Sequence, residues 1–71
     1  MSRLLEALQW LSAEFSADRD EFRKRFKKGA DDLRDGLVAR GFAFRDKRQD
    51  RYAVSPAGFR CLRAQQEPEN G

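Results

Sequence analysis

Between Ala30 and Ala64 the chain reads as a helix, a two-stranded hairpin and a second helix with no linker between them, and few small folds use that order. Asp31 to Arg40 is the helical run. Phe42 and Phe44 then alternate with Ala43 and Arg45, and Tyr52 and Val54 alternate with Arg51 and Ala53, so the aromatic and aliphatic members are expected on one face of two short strands. Asp46, Lys47, Arg48, Gln49 and Asp50 form the loop between them. Ser55-Pro56 restarts a helix, the serine as cap and the proline in the first turn, where a missing N–H costs nothing. Phe59 and Leu62, three apart, are expected to give that helix its inward side.

The amino-terminal half is helical by its spacing. Ser2 can cap a helix whose Leu4, Leu8, Leu11 and Phe15 recur at the period of one buried stripe, with Leu5 on its shoulder. Trp10 points away from this stripe. It either packs on the last helix, near Phe59, Cys61 or Leu62, or belongs to a contact with another molecule, and Leu5 is grouped with it as an interface candidate. Asp18 and Glu21 have the spacing of a capping box and open a second helix anchored by Phe22 and Phe26. Gly29 ends it, Asp31 and Asp32 favour the start of a third, and Leu33, Leu37 and Val38 are expected to face inward there. Gly36 inside this run costs roughly 1 kcal/mol of helix propensity, so it implies tight packing or a short helix. Gly41 closes it. Residues 1–64 are read as one domain, and residues 65–71, with nothing to bury, as a disordered tail.

Composition removes whole classes of function. A chain of 71 residues buries only about 60% of its unfolded surface, so nearly every large apolar side chain is needed in the core. The single cysteine, Cys61, excludes an internal disulfide and reads as a small apolar filler. With no histidine there is no Cys/His set for zinc and no imidazole for proton transfer. Asp31 and Asp32 point to different sides of a helix and no further ligand converges on them, which makes capping their expected role. No catalytic residue, metal or cofactor is expected. Met1-Ser2-Arg3 leads straight into an amphipathic pattern, so a cytoplasmic protein without a membrane partner is expected.

Fifteen basic residues stand against twelve acidic ones, for a net charge of +3, and their distribution matters more than the total. Arg23, Lys24, Arg25, Lys27 and Lys28 form one basic group with no acid among them. Arg19 lies nearer the acids and is a poorer candidate. A second group, Arg45, Lys47, Arg48 and Arg51, sits on or beside the hairpin loop.

Leu33, Leu37, Arg40-Gly41-Phe42, the basic hairpin, Tyr52-Ala53-Val54-Ser55-Pro56-Ala57-Gly58 and Leu62 together resemble a stretch of winged helix-turn-helix regulators. The multiple-antibiotic-resistance and phenolic-acid-decarboxylase types are similar: their recognition helix ends at Arg-Gly, a wing follows, and a strand leads into Thr-Pro-Xaa-Gly. The resemblance covers about half the chain with one short motif. It implies an α+β winged helix of three helices, a two-stranded wing and a fourth helix, with Ala30 to Arg40 as recognition helix. It also implies a small transcriptional regulator, of bacterial, plasmid or phage type, that binds double-stranded DNA as a homodimer through its first and last helices. Arg23, Lys24, Lys27, Lys28, Arg45, Lys47, Arg48 and Arg51 would hold phosphates, and Arg34 would touch a base. One departure is plain: Asp31, Asp32 and Asp35 occupy a helix that normally offers bases or amides to DNA. The rival expectation is a winged-helix adaptor or inhibitor whose acidic third helix faces a protein partner with a basic surface; an RNA-binding winged helix is a third.

Overall fold

The computed structural model describes residues 3–66, and the expected Ser2 cap lies outside them. The element order is α1 (Arg3–Glu14), α2 (Arg19–Phe26), α3 (Ala30–Ala39), β1 (Ala43–Asp46), β2 (Arg51–Val54) and α4 (Pro56–Gln66), an α+β arrangement of four helices and one antiparallel hairpin. α4 runs two residues past Ala64, and residues 67–71 of the expected tail lie outside the described residues.

Local chemistry accounts for most boundaries. The Asp18 carboxylate accepts from the Glu21 amide at 2.8 Å, and the Glu21 carboxylate accepts from the Asp18 amide at 2.9 Å, so the capping box forms as spaced. Gly29 and Gly41 flank α3 with φ of 84° and 78°, the left-handed region that glycine enters without strain. The Ser55 hydroxyl accepts from the Gly58 amide at 3.1 Å and caps α4. Gly58 is required there for a different reason, because a Cβ at that position would lie 2.2 Å from the Phe42 carbonyl oxygen. The Ser-Pro-Ala-Gly segment thus caps the helix and lets its first turn lie directly on the hairpin.

The core joins all the elements. Ala7, Leu8 and Leu11 of α1, Phe22 and Phe26 of α2, Ala30 and Leu37 of α3, Tyr52 and Val54 of β2, and Leu62 of α4 are buried together. Ala17, between α1 and α2, pairs with Tyr52 through amide-to-carbonyl bonds of 2.9 and 2.8 Å, a single bridge on the free side of β2. The spatial order is therefore the Ala17 bridge, then β2, then β1.

Five side chains depart from the sequence reading. α1 ends at Glu14, and Phe15, at φ 66°, turns the chain outward and stands 84% exposed instead of completing the buried stripe. In the hairpin Ala43 pairs with Val54 and Arg45 with Tyr52, which places Phe44 opposite Ala53 on the outer face, away from Tyr52 and Val54. A one-residue offset in pairing is enough to invert a side chain. Phe59 is half-exposed because Gly58 and Leu62, four apart, take the inward positions of α4. Val38 faces solvent, and Arg34 takes the inward position between Ala30 and Leu37. Trp10 packs edge-to-face on Phe22 and Phe26 of α2, with ring centroids 5.0 and 5.6 Å away, and not on α4. Leu5 is half-buried against the same core.

Candidate nucleic-acid interface

The candidate surface consists of α2, the turn into α3, the outward side of α3 and the hairpin loop. Its arginines are mostly engaged within the chain. Arg23 on α2 grips Asp31 on α3 with two donors, Nε to Oδ1 at 3.3 Å and Nη2 to Oδ2 at 3.1 Å. Arg34 reaches the same carboxylate with Nη1 at 2.9 Å, donates to Asp35 at 3.3 Å and stacks over the Tyr52 ring at 5.4 Å. The hydrogen bonds from Arg23 and then Arg34 hold the Asp31 carboxyl below its ordinary value, and Asp31 raises the Arg23 guanidinium in turn.

Arg51 ties the hairpin to the start of α2. Its Nε donates to the Ser16 hydroxyl at 2.9 Å, and its Nη2 donates to the Ser16 carbonyl at 3.0 Å and to Glu21 at 2.9 Å. The capping-box carboxylate therefore also anchors β2. Arg45 donates twice to Asp50 across the hairpin, at 3.0 and 2.8 Å. Arg25 pairs with Glu6 at 3.5 Å and lies over the Phe26 ring. Arg19 sits beside the Tyr52 hydroxyl, which raises its guanidinium above the usual value.

Lysines behave differently. Among the described residues every ion pair within 4 Å uses an arginine, and Lys24, Lys27, Lys28 and Lys47 have no carboxylate within that distance. Three of the four cluster where α2 ends. Lys27 has φ 57° and ψ −116°, an unusual conformation for a residue with a Cβ, and it turns the chain toward Gly29 and α3. An open cleft beside it is lined by Arg23, Lys27, Gly29, Ala30, Asp31 and Asp32. Lys47 and Arg48 are exposed on the hairpin loop, where the Arg48 amide donates to Asp46. Gln49 and Asp50 of the same loop form a cleft with Asp18, Arg19 and Asp20, so the loop lies at the amino end of α2 and the lysine cluster at its carboxyl end.

The expected site residues thus separate into two sets. Lys24, Lys27, Lys28, Lys47 and Arg48 remain available for an outside anion, whereas Arg23, Arg45 and Arg51 hold internal carboxylates. Arg34, expected to touch a base, is only 7% exposed and is part of the core. The signal was in the sequence: Arg34 lies four residues after buried Ala30 and three before buried Leu37, on the same side of α3. The acids of α3 are likewise redistributed. Asp31 and Asp35 are matched by Arg23 and Arg34, and Asp32 alone has no cation within reach among the described residues. The exposed positions left on the body of α3 are Asp32, Asp35, Val38 and Ala39.

Among the described residues no three acid or cysteine side chains gather as a metal site, and no helix is long and apolar enough to cross a membrane. Comparison with protein-family models, with curated proteins and with solved structures finds no match for this chain.

Proposed function

We propose that the chain is a winged-helix domain that binds duplex DNA through its phosphate backbone and leaves base edges largely unread. The carrying observation is that Arg23, Arg34, Arg45 and Arg51 are engaged internally while Lys24, Lys27 and Lys28 stand unpaired around the α2–α3 turn. Lysines held as point charges suit phosphate contacts, which give affinity and position without sequence information. Three further features support the winged-helix reading. The Ala17 bridge pairs with the free side of β2 and β1 with its other side, the hairpin follows the helix pair directly, and Gly58 docks the last helix on it.

Pairing of Asp31 and Asp35 removes much of the repulsion that three free carboxylates would impose on this mode. A competition experiment tests it: unlabelled duplexes of unrelated sequence should displace a labelled one with equal potency. Replacement of Lys24, Lys27 and Lys28 by Gln should weaken binding to all of them alike. Marked preference for one sequence, or full binding by the triple variant, would refute the proposal.

A second reading rests on the outward side of α3, where Asp32, Asp35, Val38 and Ala39 offer no base-reading donor and Arg40 at the carboxyl-terminal cap is the exposed cation. Such a surface suits a basic protein partner. It would be favoured if Asp32→Asn left DNA affinity unchanged and abolished retention of a protein that the unaltered chain retains.

A further inference from the structure

Arg23 differs from the other paired arginines in what its departure would leave behind. Its fork and Asp31 are both about half exposed, with side-chain exposures of 57% and 47%. Asp31 has a second, shorter contact, 2.9 Å, from the Arg34 Nη1, whose side chain is 9% exposed and fixed over Tyr52. Should Arg23 swing away, Asp31 keeps a charged partner. The comparison cases are different. Release of Arg45 would strip Asp50 of its ion pair, and release of Arg51 would cut four contacts, to Ser16, Glu21 and Asp18. Arg34 cannot leave without emptying part of the core. Arg23 also lines the cleft that unpaired Lys27 borders.

We infer that Arg23 is an exchangeable phosphate ligand held in reserve by Asp31: on DNA binding its guanidinium moves from the Asp31 carboxylate to a backbone phosphate, and Arg34 keeps Asp31 paired. The inference rests on the DNA reading above and names one more residue in it. A solvent-exposed ion pair is weak enough to be exchanged, because water and salt already compete for both partners. A phosphate offers an arginine fork two acceptor oxygens for bidentate pairing, as a carboxylate does. The proposal makes Asp31 a positioning residue that sets how readily Arg23 is given up. An arginine suits position 23 because a lysine lacks the planar fork that holds Asp31 by two donors and can then be presented to phosphate.

The test is the salt dependence of binding to a random duplex for the full chain and for Arg23→Gln, Arg23→Lys, Asp31→Asn, Asp32→Asn and the Arg23→Gln/Asp31→Asn and Arg23→Gln/Asp32→Asn pairs. Arg23→Gln should reduce the magnitude of the log-log slope by about 0.9, one phosphate contact, and Arg23→Lys should restore it. Asp31→Asn should raise affinity up to about fivefold by freeing Arg23 in advance, and with Gln at 23 that gain should shrink to the one Asp32→Asn brings. Asp32→Asn removes a neighbouring charge without releasing Arg23, so any gain it brings should be the same with Gln at 23. The Nε–H resonance of Arg23 should shift on addition of duplex while that of Arg34 stays in place, a readout that a merely structural role would not move. If the unaltered chain binds with a clear slope but Arg23→Gln leaves it unchanged, or the Arg23 resonance does not move, the exchange is refuted and the lysine-based reading stands. A slope near zero for the unaltered chain overturns both.

Discussion

Replacing Gly58 by Ala in α4 should destabilise the domain, against the usual effect of that change in a helix. Helix propensity alone favours Ala by about 1 kcal/mol. The structure opposes it with two fixed obstacles: the added Cβ would fall 2.2 Å from the Phe42 carbonyl oxygen and 2.6 Å from Cγ1 of buried Val54. Neither can step aside. The carbonyl accepts from the Ser55 amide at 2.9 Å, and Val54 is held between β1 and the core. Ordinary contact therefore needs α4 to withdraw by about 1 Å, which strains the Ser55 cap and belongs at the upper end of the roughly 1–3 kcal/mol typical of overpacking. Net of propensity, the loss is about 2 kcal/mol, or roughly 10 °C in melting temperature for a domain of this size. Gly36→Ala supplies the control, because its Cβ would meet only the tips of the Leu4 and Arg40 side chains, at 3.2 and 3.5 Å, and both can shift. That variant should be neutral or more stable by up to about 1 kcal/mol. Circular dichroism melts of the two variants beside the unaltered chain check the pair. Equal or higher melting temperature for Gly58→Ala would refute the close approach of α4 to the hairpin.

Other expectations follow from the same contacts. Trp10→Ala should cost about 2–3 kcal/mol, less than full burial would give because Trp10 is half-exposed. The loss should not depend on protein concentration, since the ring packs within the chain on Phe22 and Phe26. Arg34→Ala should lower stability by about 1–3 kcal/mol in denaturant titrations through its lost charged hydrogen bonds and leave the salt slope of DNA binding unchanged. Asp31 is held below its ordinary value, so its contribution is present above the unfolded-state value and fades as pH falls through the folded one. Stability of the unaltered chain should therefore decline between about pH 5 and pH 2 more steeply than that of Asp31→Asn, as followed by melts across that range.

What the sequence made legible was chiefly local. The Asp18–Glu21 box, Gly41 at the end of α3, the Ser55 cap and the alternation of β2 each depend on residues within one turn or one strand, and all are found where the spacing put them; Gly29, expected to end α2, instead caps α3, because α2 stops at Phe26 and Lys27 turns the chain at positive φ. The chain's long-range choices were harder to read. Whether Phe44 or Ala43 faces the core depends on register with β2, which a short two-stranded ribbon with aromatics on β1 does not specify by pattern alone. Trp10 finds Phe22 and Phe26 because α1 and α2 pack across the core, a relation that periodicity within α1 cannot express. In the candidate site, residue type suggested a wide set of cations, and partner choice reduced it. An arginine in a chain rich in carboxylates is as suited to an internal fork as to a phosphate, so Arg23, Arg45 and Arg51 could be sorted only once Asp31, Asp50 and Glu21 were placed.

The most direct test is the dependence of duplex DNA affinity on salt for the unaltered chain and for a variant with Gln at positions 24, 27 and 28. With phosphate contacts from Arg23, Lys24, Lys27, Lys28, Lys47 and Arg48, a log-log slope of about −5 is expected for the unaltered chain, shrinking to about −3 in the variant as three of those contacts are lost. A slope near zero at low salt, or the same slope in both proteins, would contradict the assignment of the unpaired lysines to the DNA backbone.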